Sequence, residues 1–352
     1  MTPPAPSRLL FIGTYTSGAS RGIYALRLGA AEGALSAPVV AAETPHPSFL
    51  ALSPDRRFLY AIRDSAAMVA AFAVHGDRLA LLPAPPAPEA VAGCHLAVDR
   101  TGRTLLVSNF HAATIAALPL AADGTPGPGQ VIRHEGRGSH PRRQAEAHVH
   151  SAVISPDNRF ALVCDLGLDR IYTYRLDAAQ ARLAPGRPPF TANAAGSGPR
   201  HSAFSADGRR FYASRELDNT VTAFDYDAAS GALVLRQAVS TLPAGFMGDS
   251  AAAEVALHPN GRFLYVSNRG HDSIAVFAVD GATGLVSAVE FTPAGGRNPR
   301  HFALSPDGAW LVCAHQGSGT VAAFRVDPAS GRLSPAGRPA AVPDPVCVRF
   351  YD

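Results

Sequence analysis

The sequence predicts an all-β fold, a seven-bladed β-propeller of four-stranded antiparallel blades. Segments that resemble SPDGRFLYV recur along the chain about every fifty residues. Each copy places an apolar run, a polar turn and a second apolar run in succession, which is typical of a β-hairpin. A third, alternating run such as TVTAFDY follows each hairpin. A self-similar period of this length, built of strands and turns, indicates propeller blades.

Six complete copies of the repeat follow one another in the chain. The hairpins cover residues 52–62, 98–108, 154–164, 204–214, 257–267 and 304–314. The third runs cover residues 68–74, 114–120, 170–176, 220–226, 273–279 and 320–326. The continuous repeat predicts a single domain over residues 1–352, although the length alone would allow two.

The two ends of the chain together supply a seventh blade. Residues 8–15 (RLLFIGTY) match a second strand and residues 22–28 (GIYALRL) match a third, but no inner strand precedes them. Residues 345–352 (PVCVRFYD) match the missing inner strand. An open ring would leave unpaired strand edges that invite aggregation. We therefore expect the C-terminal strand to pair into the N-terminal blade and close the ring.

Composition narrows the class of protein. Apolar residues make up 47% of the chain, and no apolar run reaches the 18 residues typical of a membrane span. The N-terminal MTPPAPSR does not resemble a signal peptide, so we expect a cytoplasmic location. The net charge of +3 gives no support for nucleic-acid binding. All 31 basic residues are arginine, which excludes Schiff-base chemistry and leaves anions to guanidinium groups.

The cysteines give no sign of a metal site or of disulfides. Their spacing contains no CxxC pair, and all lie in predicted strands; they are Cys94, Cys164, Cys313 and Cys347. Cysteines in such places are typical of small core residues. The pair His148 and His150 resembles a metal dyad but lacks a third ligand nearby. We therefore expect neither a metal nor a cofactor.

The repeat also predicts where a site would lie. When the copies are aligned on the hairpin turn, the inner strands start eight residues before it, at Ser48, Cys94, His150, Arg200, Ala253 and Arg300. The second strands end eight residues after it, at Asp64, Phe110, Leu166, Glu216, Arg269 and Gln316. The two open ends of an antiparallel hairpin lie together. Inner strands line a propeller's axis, so both sets should meet at one mouth of the central channel.

The residue types at this mouth are typical of an acid–base site that binds anions. Arg200 and Arg269 could stabilise a developing oxyanion, Arg300 or the loop 137–143 could hold a phosphate, and His150 and Glu216 are residue types that carry protons. Substrate contacts are also predicted for Arg300, His201, His301, His148, Asn109 and Gln316. The alternative is that these residues form only ion pairs between blades. The insertion at 134–150, rich in arginine and histidine, enters the same mouth as a lid or as a solvated loop.

Four stretches carry a family resemblance: residues 150–171, 198–221, 258–277 and 298–308, with their GPRH, SNR and NPRH motifs. The chain resembles the lactonase family of seven-bladed propellers, which includes propeller-type 6-phosphogluconolactonases and carboxy-cis,cis-muconate cyclases. The resemblance runs from about Leu9 to Arg349. It implies a metal-independent catalytic set that maps to His150, Arg200, Glu216 and Arg269.

The resemblance and the site together lead to one expected function and two alternatives. We expect a lactonase, a carboxylic ester hydrolase, that acts on a small anionic sugar lactone such as 6-phospho-D-glucono-1,5-lactone in the pentose phosphate pathway. Neither nucleic acid nor a membrane is expected as a partner. A cycloisomerase of a muconate-like dicarboxylate would use the same arginines. A non-catalytic propeller that binds a ligand or protein is the alternative of a different class.

Overall fold

The computed structural model describes residues 7–63, 69–83 and 93–351. Over these residues the chain forms 28 β-strands in seven sheets of four antiparallel strands each. The predicted fold class, a seven-bladed propeller, is confirmed. We number the sheets as blades 1 to 7 in chain order and list the strands of each blade from the channel outward.

The strand bounds of the first four blades follow the repeat. Blade 1 consists of β28 (Pro345–Phe350), β1 (Ser7–Thr14), β2 (Gly22–Gly29) and β3 (Val39–Glu43). Blade 2 consists of β4 (Leu50–Leu52), β5 (Phe58–Ile62), β6 (Val69–His75) and β7 (Arg78–Leu81). Blade 3 consists of β8 (His95–Val98), β9 (Thr104–Asn109), β10 (Thr114–Pro119) and β11 (Gln130–Arg133). Blade 4 consists of β12 (Val149–Ile154), β13 (Phe160–Asp165), β14 (Arg170–Asp177) and β15 (Arg182–Ala192).

Blades 5 to 7, like blades 2 to 4, are each formed by one continuous stretch of chain. Blade 5 consists of β16 (Pro199–Phe204), β17 (Arg210–Arg215), β18 (Thr220–Asp227) and β19 (Ala232–Ser240). Blade 6 consists of β20 (Ala251–Leu257), β21 (Phe263–Arg269), β22 (Ser273–Val279) and β23 (Val286–Pro293). Blade 7 consists of β24 (Pro299–Leu304), β25 (Trp310–His315), β26 (Thr320–Val326) and β27 (Leu333–Ala341).

The ring closes in blade 1, as the sequence predicts. Strand β28 pairs antiparallel with β1, and Ile12 lies opposite Val348. Beyond the strand, the Tyr351 N–H donates to the Leu9 carbonyl at 2.9 Å. Leu10, Ile12 and Val348 are fully buried and belong to one apolar cluster with Trp310 of blade 7. The last strand therefore completes both a sheet and the core between two blades.

The hairpin turns explain the repeated SPDG pattern. The residue on which the copies align has a positive φ, between 60° and 73°, in all six hairpins: Arg56, Gly102, Asn158, Gly208, Gly261 and Gly308. Glycine and asparagine adopt this left-handed conformation at the least cost. In four of these turns a serine holds the loop; Ser155 Oγ, for example, donates to Asp157 and accepts from the Phe160 N–H. The turns thus set the register of each inner strand.

Bulges at the open end of three hairpins give the channel its polar lining. The register of β12 against β13 shifts between Val149 and Ser151, which leaves His150 as the extra residue. Arg200 of β16 and Arg300 of β24 are the extra residues of equivalent shifts. A bulged residue is re-aimed relative to its neighbours. His150, Arg200 and Arg300 therefore face the channel, as do His201 and His301, which follow two of them.

The residues that follow the strand starts form a second, deeper layer, which we call the floor. Its members are Phe49, His95, His201, Glu254 and His301. The Phe49 ring lies 4.3, 5.9 and 5.5 Å from the rings of His95, His201 and His301. Because these residues come from blades 2, 3, 5 and 7, their contacts cross the axis. The floor therefore closes the channel with side chains below the mouth.

Candidate active site

A cavity of about 490 Å³ lies at the open ends of the hairpins, where the register predicted it. Its lining comprises Tyr15, His46, Ser48, Ile62, Gly93, Cys94, Phe110, His111, Arg143, His150, Glu216, Arg269 and Arg300. Eight of these lie at the predicted mouth: seven are strand-start or strand-end positions, and the eighth is Tyr15, which follows β1 of blade 1. One further strand-end position of the prediction, Asp64, lies outside the described residues.

Glu216 is the centre of an arginine cluster. Its Oε2 accepts from Arg200 Nε at 2.9 Å and from Arg269 at 2.7 Å, and its Oε1 accepts from Arg143. The Glu216 side chain is 4% exposed. Burial raises the pKa of this carboxyl, but Arg269, Arg200 and the other cations outweigh that effect and hold the pKa well below its usual range. Glu216 is therefore an ionised anchor that fixes the guanidinium groups in place.

Arg200 and Arg269 hold different places around this anchor. Arg200 is buried behind Glu216 and does not line the main cavity. Arg269 does line it, and also donates to the carbonyl oxygens of Ala251 and Ala252 at 3.3 Å. Burial lowers the pKa of both guanidinium groups. Arg269 is therefore the one of the two that can touch a ligand in the cavity.

His150 faces the cavity beside Glu216. Its ring lies 5.6 Å from that of Phe110 and 5.2 Å from that of His201. Burial, followed by the charge of Arg200, holds the pKa of His150 well below its ordinary value of 6.5. The ring is therefore neutral at physiological pH, and it can accept a proton.

Arg300 is the cationic group of the cavity with the fewest partners. Its guanidinium lies 3.4 Å from the Tyr15 hydroxyl and 5.8 Å from the centre of the Tyr15 ring. No carboxylate of the described residues forms an ion pair with it, whereas Arg143 and Arg269 both contact Glu216. A ligand anion would find this guanidinium available.

The other predicted substrate contacts do not line the main cavity. His201 and His301 lie in the floor. His148 stacks on Phe110 with ring centres 4.1 Å apart and contacts the Phe110 carbonyl. Asn109 donates to the Thr114 hydroxyl, and Gln316 accepts weakly from Asn298. The structure thus brings together His150, Arg269, Glu216 and Arg300, with Arg200 directly behind.

Sequence reasoning missed two residues of the site. Arg143 was not distinguished from its neighbours in the 134–150 insertion, yet it contacts Glu216. No sequence signal marks this contact, because it depends on the neighbouring Gln144, which is fully buried in the structure. Glu254 was passed over because Ala253 holds the aligned position in blade 6. It has the same offset from its turn as His201 and His301, and that offset could have identified it.

The insertion is pinned to the blades, so Arg143 is held in place. The Gln144 amide donates to the Leu166 carbonyl and to Asp169 at 2.8 and 2.7 Å. Asp169 also accepts from the backbone N–H groups of Gly196 and Gly198. The Gly198 carbonyl in turn accepts from the Glu216 N–H at 2.8 Å. This hydrogen-bond network, centred on Asp169, therefore positions both the insertion and Glu216, which Arg143 of the insertion contacts.

The site residues do not form a metal-binding arrangement. Within residues 7–63, 69–83 and 93–351, no group of three or more His, Cys, Asp or Glu side chains is placed to hold a metal ion. The described part of the chain also contains no helix long and apolar enough to cross a membrane. The site instead places the positively charged guanidinium groups around Glu216 next to the neutral imidazole of His150.

Comparisons with known proteins agree with this geometry. The model of the lactonase family with a 7-bladed beta-propeller matches residues 9–350. The chain is 35% identical to a 6-phosphogluconolactonase of Bacillus subtilis (strain 168), over 97% of both chains. The solved structure of a periplasmic gluconolactonase of Pseudomonas aeruginosa is 35% identical, with a TM-score of 0.91 over 98% of this chain and 99% of that one. A crystal structure of a Lactobacillus plantarum protein is 33% identical, with a TM-score of 0.92 over the same shares.

Proposed function

The chain belongs to the lactonase family of seven-bladed β-propellers, and we propose that it hydrolyses a sugar lactone that carries an anionic group. The proposed substrate is 6-phospho-D-glucono-1,5-lactone, which is converted to 6-phosphogluconate. The relative from Bacillus subtilis bears the name of this activity. With this substrate we place the protein in the cytoplasm and in the pentose phosphate pathway.

The charge of the cavity is the observation that supports this substrate best. Among the described residues, three arginines, Arg143, Arg269 and Arg300, and one carboxylate, Glu216, line the cavity. This leaves an excess of two guanidinium charges, while His150 is neutral. A phosphate ester carries close to two negative charges at neutral pH. Planar guanidinium groups also match phosphate oxygens in geometry.

The same groups supply the steps of lactone hydrolysis. In the proposed mechanism, His150 accepts a proton from a water molecule as its oxygen attacks the lactone carbonyl. Arg269 stabilises the oxyanion that forms on the carbonyl oxygen, and Glu216 and Arg200 hold Arg269 in position. The carbon–oxygen bond of the ring then breaks, and His150 returns the proton to the departing alkoxide. The acid that forms ionises and leaves as a carboxylate.

A panel of lactones tests the proposed function. The panel contains 6-phospho-D-glucono-1,5-lactone, unphosphorylated glucono-1,5-lactone and a muconolactone, each assayed against its spontaneous hydrolysis. We expect the highest kcat/KM for the phosphorylated lactone. An equal or higher kcat/KM for the unphosphorylated compound would contradict the proposed phosphate, and turnover of the muconolactone alone would favour the cycloisomerase.

Replacement of Arg300 should reduce the preference for phosphate. The Arg300→Met substitution removes a guanidinium group that has no carboxylate partner among the described residues. It leaves the arginine cluster around Glu216 intact. We expect kcat/KM for the phosphorylated lactone to fall by about tenfold to a hundredfold, which is the usual effect of losing one hydrogen bond to a charged group. The rate with the unphosphorylated lactone should change little. Arg297→Met is the matched control, since Arg297 is exposed near the same strand and contacts only the Gly317 carbonyl and Ser318 in the described structure.

The pH dependence should show the lowered pKa of His150. A base acts in its deprotonated form, so kcat/KM should be constant near neutral pH and fall only as the pH drops through the pKa of His150. Burial, Arg200, His201 and Arg300 depress that pKa, whereas Glu216 raises it, and the balance is well below 6.5. The acidic limb of the pH profile should therefore lie below pH 6.5, in samples that circular dichroism shows to be folded. A limb at or above pH 6.5 would rule out His150 in this environment as the base.

A further inference from the structure

A second, smaller void lies between the mouth and the floor. Its volume is about 20 Å³, enough for one water molecule. Its lining comprises Tyr15, Ser48, Phe49, Cys94, His150, Arg200, His201, Arg300, His301 and Val346. His150 and Arg300 line both this void and the main cavity. The void therefore adjoins the main cavity at the His150 ring and its neighbours.

Four buried polar atoms on the residues around this void have no hydrogen-bond partner within the described part of the chain. They are Arg200 Nη1, His150 Nδ1, His201 Nε2 and His301 Nε2. A buried polar group without a partner costs free energy, and native proteins satisfy almost all such groups with protein or with ordered water. Atoms of this kind around a space of one water molecule point to a common ligand.

The hydrogen bonds of the floor determine which nitrogen of His201 carries the proton. His201 Nδ1 lies 2.7 Å from Glu254 Oε2, so the Nδ1–H donates to the carboxylate. Burial, followed by Arg200, holds the pKa of His201 well below 6.5, so the ring is neutral. Its Nε2 is then a lone-pair acceptor that faces away from Glu254.

The neighbouring histidine of the floor does not compete for this role. His301 Nδ1 accepts from the Val348 N–H at 3.3 Å, which places the proton of the neutral ring on Nε2. That Nε2 lies 3.2 Å from the same Glu254 oxygen. Glu254 thus accepts the Nδ1–H of His201 and lies at ion-pair distance from His301 Nε2, and His201 Nε2 remains as the acceptor beside the void.

We propose that the void binds one water molecule, through which Glu254 and His201 set the tautomer of His150. The water accepts hydrogen bonds from Arg200 Nη1 and from the His150 Nδ1–H, and it donates one to His201 Nε2. Three of the four unpartnered atoms are satisfied in this way, the fourth, His301 Nε2, lies 3.2 Å from Glu254, and three hydrogen bonds are typical of a buried water. His150 is held with its proton on Nδ1, and its Nε2 presents a lone pair to the main cavity.

This arrangement gives Glu254 and His201 a positioning role in the proposed reaction. A histidine can act as a base only through the nitrogen that lacks a proton, and a carboxylate commonly fixes which one that is. Here the carboxylate acts through a second histidine and a water molecule. The inference rests on the proposed role of His150, but the tautomer itself can be measured in the resting protein without any substrate.

Nitrogen-15 NMR of histidine-labelled protein tests the tautomer directly. The His150 signals are assigned by their loss in His150→Phe. At neutral pH we expect His150 Nδ1 to be protonated and Nε2 to be unprotonated in the wild-type protein. In Glu254→Gln the His201 tautomer is released, and we expect the His150 signals to shift toward the other tautomer. A wild-type His150 with its proton on Nε2 would overturn the proposal whatever the substrate of the protein.

Kinetics with a matched pair of variants provide the second test. His201→Phe removes the acceptor beside the void, whereas His95→Phe removes another buried, neutral histidine of the floor that does not line it. We expect kcat to fall on the order of tenfold to a hundredfold in His201→Phe and in Glu254→Gln, with KM nearly unchanged. His95→Phe should stay within about twofold of the wild type. Equal kcat values for His201→Phe and His95→Phe would refute the positioning role.

A crystal structure of the wild-type protein grown with bromide identifies the ligand of the void. We expect density for a water molecule within hydrogen-bond distance of Arg200 Nη1, His150 Nδ1 and His201 Nε2. An anomalous bromide peak at this place would show a halide site instead and would overturn the proposal, because an anion cannot donate to His201 Nε2.

Discussion

Replacement of His150 by phenylalanine is expected to lower lactone hydrolysis by about a hundredfold or more, because the proton acceptor is lost. Phenylalanine keeps a ring of similar size between Phe110 and His201. His150 is in no ion pair, and the described residues offer its Nδ1 no hydrogen bond. The melting temperature should therefore change little. Activity and melting temperature measured on the same samples check both parts of the prediction.

Variants of the arginine cluster separate catalysis from structure. Arg269→Ala should also lower turnover by about a hundredfold, the usual effect of losing an oxyanion contact. Glu216→Gln should lose activity and also about 3–5 kcal/mol of stability, because it leaves the guanidinium groups of Arg143, Arg200 and Arg269 without their carboxylate. His150→Phe therefore distinguishes a catalytic site from a set of structural ion pairs more clearly, because it should lower activity without lowering stability. Full activity in that variant would make the cluster a set of ion pairs without chemistry.

Removal of residues 345–352 is expected to destabilise the protein by several kcal/mol, comparable to a large truncation in a core. The deletion takes away β28, its ladder with β1 and the buried side chains of Val346, Cys347 and Val348. It also exposes Leu10 and Ile12 of β1, which are fully buried in the intact chain. Denaturant unfolding of the truncated and full-length proteins measures the difference.

Two controls make the truncation decisive. Removal of Asp352 alone leaves β28 intact and should leave the unfolding midpoint unchanged. A synthetic peptide of residues 343–352, added to the truncated protein, should raise its melting temperature in a concentration-dependent way. A truncated protein that melts like the full-length one would show that the ladder between β1 and β28 contributes little to stability.

Most of the fold could be predicted because the same pattern of strands and turns recurs along the chain. The turn positions, the number of blades and the closing strand all followed from apolar runs and from glycine or asparagine at one offset. Seven of the twelve predicted strand-start and strand-end positions line the cavity at one mouth of the channel. Periodicity in strands is a local property, and each blade is built from local hairpins apart from blade 1. Sequence reasoning is strongest for features of this kind.

The details of the site were harder to predict because bulges change which side chains face the channel. Strict alternation would send Arg200 and His201 to opposite faces of β16, but the bulge directs both inward. In blade 6 the register of β20 shifts between Ala252 and Val255, and Glu254 reaches the floor. Arg143 was missed for another reason. Its position depends on the burial of Gln144 against a different blade, which no local pattern reveals.

The seam in blade 1 also has a consequence for the order in which the protein is made. Among the described strands, β1 is synthesised first and its partner β28 last. Translation adds roughly 5–20 residues per second, so the outer strands of blade 1 wait with one edge unpaired while the other six blades are made. The adjoining blades can fold as local hairpins in the meantime. Ring closure must therefore wait for β28, and a chain that terminates before β28 would keep an open edge that quality-control proteases and chaperones can recognise.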